Sequence, residues 1–254
     1  MLDEIVIVAA KRTPIGGLLG KLNHLTAIDL GVISHLAALE QAGIAKDMVS
    51  EVFMGCVLPA GLGQAPARQT LIRANMPHHI PATTLNKVCG SGMQALFCAH
   101  DRIISNKQAI VLAGGMESMS HAPYLLPKAR SGMRLGHQEC IDSMWLDGLQ
   151  DAYESKLMGC FGELAAKKLN ISRETQDAFA RHSMEKALRA QKDGSFLAEL
   201  AIVMDSHETV IADEQPSETK LDKLPRLKPV FEKDGTITAG NASSIADGAA
   251  SLIL

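Results

Sequence analysis

The sequence predicts an α/β fold, a sheet covered by helices on both faces and interrupted by an inserted, mostly helical segment. Three observations predict it. Short, wholly apolar runs alternate with helical patterns from residue 5 to residue 113, as strands and covering helices do in α/β proteins. Between about residues 121 and 224 the texture turns polar, methionine-containing and helix-leaning. An apolar stretch then returns at residues 251–254.

In chain order, residues 5–10 form a continuous apolar run, which predicts a strand buried on both faces. Turn residues Lys11 to Gly17 end it. Thr26-Ala27-Ile28-Asp29 reads as a capping box with aspartate in the place of glutamate. The helix it opens carries Ile28, Val32, Leu36 and Leu39 on one stripe and stops near Gly43. A strand is expected at 51–58, a helix at 66–74, an extended segment at 82–88 and a buried strand at 109–113. In the polar segment the best helix starts after Ser172, a good N-cap residue, and reaches about residue 192 before Gly194. Strand character is brief there, at 200–204, and 251–254 reads as a strand cut off as it begins, so the chain is expected to be incomplete.

Cys89 is the leading candidate for chemistry. The extended segment delivers it to the small-residue turn Cys89-Gly90-Ser91-Gly92, and a helical pattern through Met93, Leu96, Phe97, Ile103 and Ile104 follows at once. Such a strand–turn–helix corner sets the sulfur beside unpaired N–H groups and the positive end of a helix dipole, which favour thiolate over thiol. Glycines in the turn let an acyl group approach the backbone. This is a nucleophile-elbow pattern with sulfur as the attacking atom, and from local pattern alone an inert, buried cysteine competes with it.

Composition narrows the function. Hydrophobic residues at 46% and charged residues at 21% fit a globular domain, and a net charge of −3 gives no basic surface for nucleic acid. The N-terminal residues contain neither a secretory signal pattern nor a membrane-length apolar run. Five cysteines without a CxxC pair imply reduced thiols in a cytoplasmic setting rather than disulfides or structural zinc. His78-His79 and the other histidines show no metal-ligand spacing, Gly61-Leu62-Gly63 lacks the third glycine of a dinucleotide fingerprint, and no P-loop occurs.

Several motifs together resemble the thiolase family. They are Asn86-Lys87-Val88-Cys89-Gly90-Ser91-Gly92, Ala113-Gly114-Gly115-Met116-Glu117-Ser118-Met119-Ser120 and Thr238-Ala239-Gly240-Asn241-Ala242-Ser243, with Val57-Leu58-Pro59-Ala60-Gly61, Gln64-Ala65-Pro66-Ala67-Arg68-Gln69 and Lys228-Pro229-Val230-Phe231. They follow the family's order from residue 5 to residue 254. The resemblance implies the N-terminal half of a thiolase-like fold, a mixed sheet covered by helices formed by residues 1–120 and 236–254, with an inserted loop domain at 121–235 and a second, topologically similar half absent.

The resemblance also implies an activity. Cys89 would accept an acetyl group from one acetyl-CoA and pass it to the enolate of a second, giving acetoacetyl-CoA, with thiolysis as the reverse. A covalent thioester keeps the acyl carbon activated between the steps, and backbone N–H groups at the turn are expected to stabilise the oxyanions. Ser243 and its neighbour Ala242 resemble positions along the CoA pantetheine channel, and Leu157 and Met158 resemble positions flanking it. CoA thioesters are thus expected as substrates, with no permanently bound cofactor or metal. A homodimer or homotetramer is implied for the complete protein, with the strand before Cys89 at the dimer seam.

Departures from the family are equally specific. Leu157 stands where short-chain members commonly carry histidine, and Ser217 near where many have an arginine close to the CoA nucleotide; Lys220 or Lys223 would be substitutes. Glu117 is expected to orient a neighbouring loop rather than act as acid or base. The Gly-His-Pro and Cys-x-Gly-Gly-Gly motifs that supply the activating histidine and the second cysteine do not occur, so this chain alone is expected to be feebly active at best. A thiolase acting on longer 3-ketoacyl-CoA substrates and a non-catalytic CoA-binding half-thiolase are the alternatives.

Overall fold

The computed structural model describes residues 4–106, 109–204 and 209–254, and of Thr219 and Lys220 the backbone alone. In chain order the elements are β1 (Ala9–Arg12), β2 (Gly16–Gly17), α1 (Ala27–Ala42), β3 (Glu51–Gly55), α2 (Pro66–Arg73), β4 (Ala82–Leu85), α3 (Ser91–Ser105) and β5 (Val111–Ser118). Then come β6 (Tyr124–Leu125), β7 (Ile141–Asp142), α4 (Met158–Lys168), α5 (Arg173–Asp193), β8 (Val203–Met204), β9 (Thr209–Val210), α6 (Glu218–Leu221) and β10 (Ala246–Ile253).

The main sheet runs β1-β10-β5-β3-β4, with β2 also on β10. It is mixed: β3 pairs in parallel with β4 and β5, while β10 is antiparallel to β5, β1 and β2. Successive strand residues point to opposite faces, and β5 shows the consequence. Leu112 and Met116 belong to the core under α1 and α2, whereas Val111 and Ala113 pack with Ala95 and Ala99 of α3 on the other face.

Local chemistry explains the helix ends. Thr26 accepts from Asp29 N–H and the Asp29 carboxylate accepts from Thr26 N–H, so the capping box is formed. Gly43 closes α1 in the left-handed conformation. Ser172 caps α5 by accepting from Thr175 N–H, and Gly194 ends that helix in the same left-handed way. Each N-cap contributes about 1 kcal/mol.

Three expectations are corrected. The first strand begins at Ala9 rather than residue 5, and Val6, Ile7 and Val8 are each about half exposed (55%, 52% and 50%) rather than buried on both faces. They precede an edge strand, and an apolar run on an edge has cover only if another element supplies it. The strand expected at 109–113 instead spans Val111–Ser118, and the last strand begins at Ala246. Glycines and polar residues conceal both extensions from a pattern reading, because their backbone pairing along seven consecutive residues needs no large side chains.

Between residues 121 and 235 the described residues form helices, the short strand pairs β6–β7 and β8–β9 and irregular chain, with a π-helical turn at Met144–Leu149. Charge and burial fasten them to the sheet. Arg12 forms ion pairs with Glu199 and Asp213 and stacks 5.2 Å from the Phe196 ring. Val203 and Val210 pack in the core cluster beneath α1. No helix among the described residues is long and apolar enough to cross a membrane.

Candidate active site

Cys89 is exposed, one residue before the Gly90 N-cap of α3. It lines a cavity of about 370 Å³ with Arg12, Val57, Val88, Met116, Glu117 and Asp247 among its walls. The turn lies close against the sheet because the residues beneath it, Gly55 at the end of β3 and Gly115 within β5, are glycine. A Cβ on Gly55 would stand 2.5 Å from the Ser91 carbonyl carbon and 2.6 Å from the Gly92 nitrogen. One on Gly114 would overlap the Ala250 carbonyl oxygen across the β5–β10 pair.

The residue before the cysteine is in an unusual state. Val88 has φ +48°, a left-handed conformation that a β-branched side chain resists at a cost of about 1–3 kcal/mol. Its surroundings hold it there. Asn86 Oδ1 accepts from Val88 N–H at 2.9 Å. The Val88 carbonyl accepts from Ser91 N–H at 3.0 Å and from Ser91 Oγ at 2.6 Å. Ser91 Oγ in turn accepts from Lys87 N–H at 2.8 Å, so one buried hydroxyl ties both sides of the turn.

The amides of Gly90 and Ser91 donate to the carbonyls of Lys87 and Val88. These two N–H groups are therefore occupied within the turn, and the oxyanion donors expected here are not this pair. What the turn does offer a developing negative charge is the positive end of α3.

Glu117, on the same cavity wall, accepts from the backbone N–H groups of Val57 at 2.8 Å and Leu58 at 3.0 Å. Burial raises its pKa above the ordinary carboxylate value, and those two N–H bonds pull the other way. The Cys56 thiol also points at it, 3.7 Å away. Burial, with the negative carboxylate beside it, pushes that thiol up to about 12, so Cys56 is a protonated donor rather than a second nucleophile. Glu117 thus orients the loop after β3, as the sequence predicts. Asp247 is buried nearby and accepts from Ser120 N–H at 3.0 Å and Ser120 Oγ at 2.5 Å.

The other sequence-derived candidates lie apart from Cys89. Ala242 and the exposed Ser243 line a second cavity of about 310 Å³ with Phe179, Ser183 and Met184 of α5. Its wall is held by Glu163, nearly fully buried, which accepts from Thr236 N–H, Thr236 Oγ1 and Ile237 N–H. Although burial opposes ionisation, these bonds win and lower the Glu163 pKa. Asn241 donates to Asp177 Oδ1 at 2.8 Å, tying the 238–243 loop to α5. Leu157 is the N-cap residue of α4 and the half-exposed Met158 its first residue; neither lines either cavity. Ser217 precedes α6 and Lys223 is exposed beyond it, while the Lys220 side chain lies outside the described residues. Sequence reading missed the roles of Asn86, Val88 and Gly55; a β-branched residue directly before a candidate nucleophile is the one signal that marked the place. No group of three or more His, Cys, Asp or Glu that could hold a metal ion occurs among the described residues.

Comparison with known proteins agrees with this architecture. Residues 5–254 match the family model "Thiolase, N-terminal domain". An acetyl-CoA acetyltransferase of Pseudomonas aeruginosa is 45% identical over 259 residues, covering 100% of this chain and 66% of the relative. Acetyl-CoA acetyltransferase 1 of Arabidopsis thaliana is 46% identical over 258 residues, covering 99% of this chain and 62% of the relative. Among solved structures, the Acat5 thiolase from Ascaris suum in complex with coenzyme A superposes with a TM-score of 0.94 at 38% identity, over 99% of this chain and 65% of that one. The chain thus spans slightly under two thirds of the length of these relatives.

Proposed function

This chain belongs to the thiolase family, and from that premise we propose that it provides the acyl-accepting half of an acetyl-CoA acetyltransferase, with Cys89 as the nucleophile. The observation that carries the reading is the exposed Cys89 at the positive end of α3, in a cavity where glycines and alanines alternate with larger side chains such as Arg12, Met116 and Glu117. The Cys89 sulfur attacks the thioester carbonyl of acetyl-CoA. The tetrahedral oxyanion collapses, the C–S bond to CoA breaks, and CoA leaves as thiolate with the electron pair. Acetyl-Cys89 then serves as acceptor for the enolate of a second acetyl-CoA. That condensation also needs a base at the α-carbon, a role we assign to no residue of this chain.

The cavity of Ala242 and Ser243 is our candidate for the pantetheine arm, because it joins an exposed hydroxyl to an apolar wall from Phe179 and Met184. Leu157 and Met158, which lie outside this cavity, are proposed to flank the arm beyond it. The same reading includes a cytoplasmic protein that assembles as a homodimer or homotetramer when complete, uses no permanently bound cofactor and works in lipid metabolism. Five free cysteines support the reducing compartment.

The test is incubation with acetyl-CoA followed by peptide mass mapping. One acetyl group on the Cys89 peptide, absent in Cys89→Ala, is the expected result; acetylation spread over Cys98, Cys140 and Cys160, or none, defeats the proposal. The second reading is an enzyme for longer 3-ketoacyl-CoA substrates, and it rests on Leu157 standing where short-chain members commonly carry histidine. A chain-length profile of acyl transfer that rises beyond acetyl would select it.

A further inference from the structure

We propose that Glu117 and Asn86 are positioning residues for Cys89, joined through Val57 into one relay that holds Val88 in its left-handed conformation. The inference rests on Cys89 being the nucleophile and concerns how the chain aims it. The links are consecutive. Glu117, on β5, takes the N–H of Val57. The carbonyl of the same Val57 accepts from Asn86 Nδ2 at 3.3 Å. Asn86 Oδ1 accepts from Val88 N–H at 2.9 Å, and Cys89 follows.

The chemistry of each link explains the residue that makes it. An isolated asparagine amide can turn its oxygen or its NH2 toward either neighbour. Here a carbonyl on one side and an N–H on the other admit a single orientation, with nitrogen to Val57 and oxygen to Val88. Val57 can direct that amide only if its own peptide is fixed, and the loop after β3 has no strand partner at that point. Glu117 fixes it with one carboxylate that receives two successive N–H groups. Glu117, Val57, Val88 and Cys89 all line the same cavity, so a displacement of the loop is felt where the acyl group must sit. The strained residue is the one that the relay reaches, and strain of this kind persists only where neighbours over-determine it.

The test measures acyl transfer to Cys89 from S-phenyl thioacetate. The sulfur takes the acetyl carbon, the bond to the aryl sulfur breaks, thiophenolate leaves with the electron pair, and the thiol proton goes to solvent. Asn86→Asp keeps the acceptor for Val88 and removes the donor to Val57; Glu117→Gln replaces one of the two acceptor oxygens with a donor. Each is expected to slow acetylation about tenfold, since small displacements at a reacting centre have effects of this size. The double variant is expected to be no slower than the slower single variant, because both cut one connection. Val88→Gly, for which φ +48° carries no strain, is expected to restore either variant to within about twofold of its own background, a rescue that a general structural role would not give.

Labelling of the exposed Cys140 by iodoacetamide should be unchanged throughout, and the buried Cys56 should stay unlabelled. Asn86 is exposed, so its substitution carries the test if Glu117→Gln exposes Cys56. Unchanged acetylation in Asn86→Asp, strictly multiplicative losses in the double variant, or no rescue by Val88→Gly overturns the relay. An unmodified Cys89 in the unaltered chain, with Cys140 labelling normally, instead overturns the nucleophile itself and takes the relay with it.

Discussion

The two faces of the sheet are built from opposite kinds of side chain. Under α1 and α2 lie Leu30, Met54, Leu71, Leu112, Met116 and Ile253, all at most 2% exposed. Under α3 the fully buried cluster is smaller in side chain, Ala95 and Ala99 set against Val111 and Ala113 with Phe53, Leu85, Ile103 and Leu254 only partly buried around them, while Met93, Phe97 and Ile104 of that helix are more than half exposed at 64%, 51% and 53%. Large side chains bury the most apolar area, at about 25 cal/mol per Å², so the first face carries most of the stabilisation. Small ones let backbones approach, which lets the Cys89 turn sit against Gly55 and Gly115. Stability and reactivity are thus assigned to different sides of one sheet.

The largest expected effect tests the covered face. Leu112 is fully buried there, and Leu112→Ala removes its contacts in a cluster that cannot collapse around the void. A loss of about 2–5 kcal/mol in urea unfolding is expected, with the labelling of Cys89 in the folded protein unchanged. A loss under about 1 kcal/mol would mean that this face is not where the stability lies.

The covered face also hides a titratable group. His35 is completely buried between Ser251 and Thr70, with Nδ1 2.9 Å from Ser251 Oγ and Nε2 3.1 Å from Thr70 Oγ1. A neutral ring donates from one nitrogen and accepts at the other, and each nitrogen here faces a hydroxyl. Burial lowers the His35 pKa to about 3, against 6.5 for an ordinary histidine. Between these values the unfolded chain binds the proton and the folded chain does not, so unfolding free energy rises with pH across that window and falls on acidification. The expected loss from His35 is about 2 kcal/mol between roughly pH 7 and pH 5. His35→Gln should flatten the stability curve over that interval by the same amount. An identical slope in the variant would mean that His35 takes up its proton within the folded state.

How much of this was legible depended on whether the signal is local. Thr26 with Asp29, Ser172 and Gly194 act on their own helix turns, and the sequence places them correctly. The Cys89 corner is legible for the same reason, since strand, small-residue turn and helix are consecutive. Val6 to Val8 mislead because an apolar run reports a preference for burial and not the presence of a cover. Gly55 was silent because its purpose lies in a turn far along the chain, at Ser91 and Gly92. The link from Glu117 through Val57 to Asn86 joins three segments by backbone groups that every residue possesses, so no residue pattern could announce it.

The smallest expected effect tests the open face. Phe97 projects from α3 on the side away from the sheet, and its neighbours on that stripe, Met93 and Ile104, are exposed too. Phe97→Ser therefore removes little buried area, and a change within about 0.5 kcal/mol is expected from urea unfolding at low protein concentration. Repeating the measurement across a wide concentration range makes the comparison sharper. If the stripe is bare in solution, the difference between Phe97→Ser and the unaltered chain stays constant. A difference that grows with concentration would mean that copies of the chain cover the stripe, because an association that stabilises the folded state makes apparent stability concentration-dependent. In that case the contrast between the faces belongs to the single chain and not to its assembly.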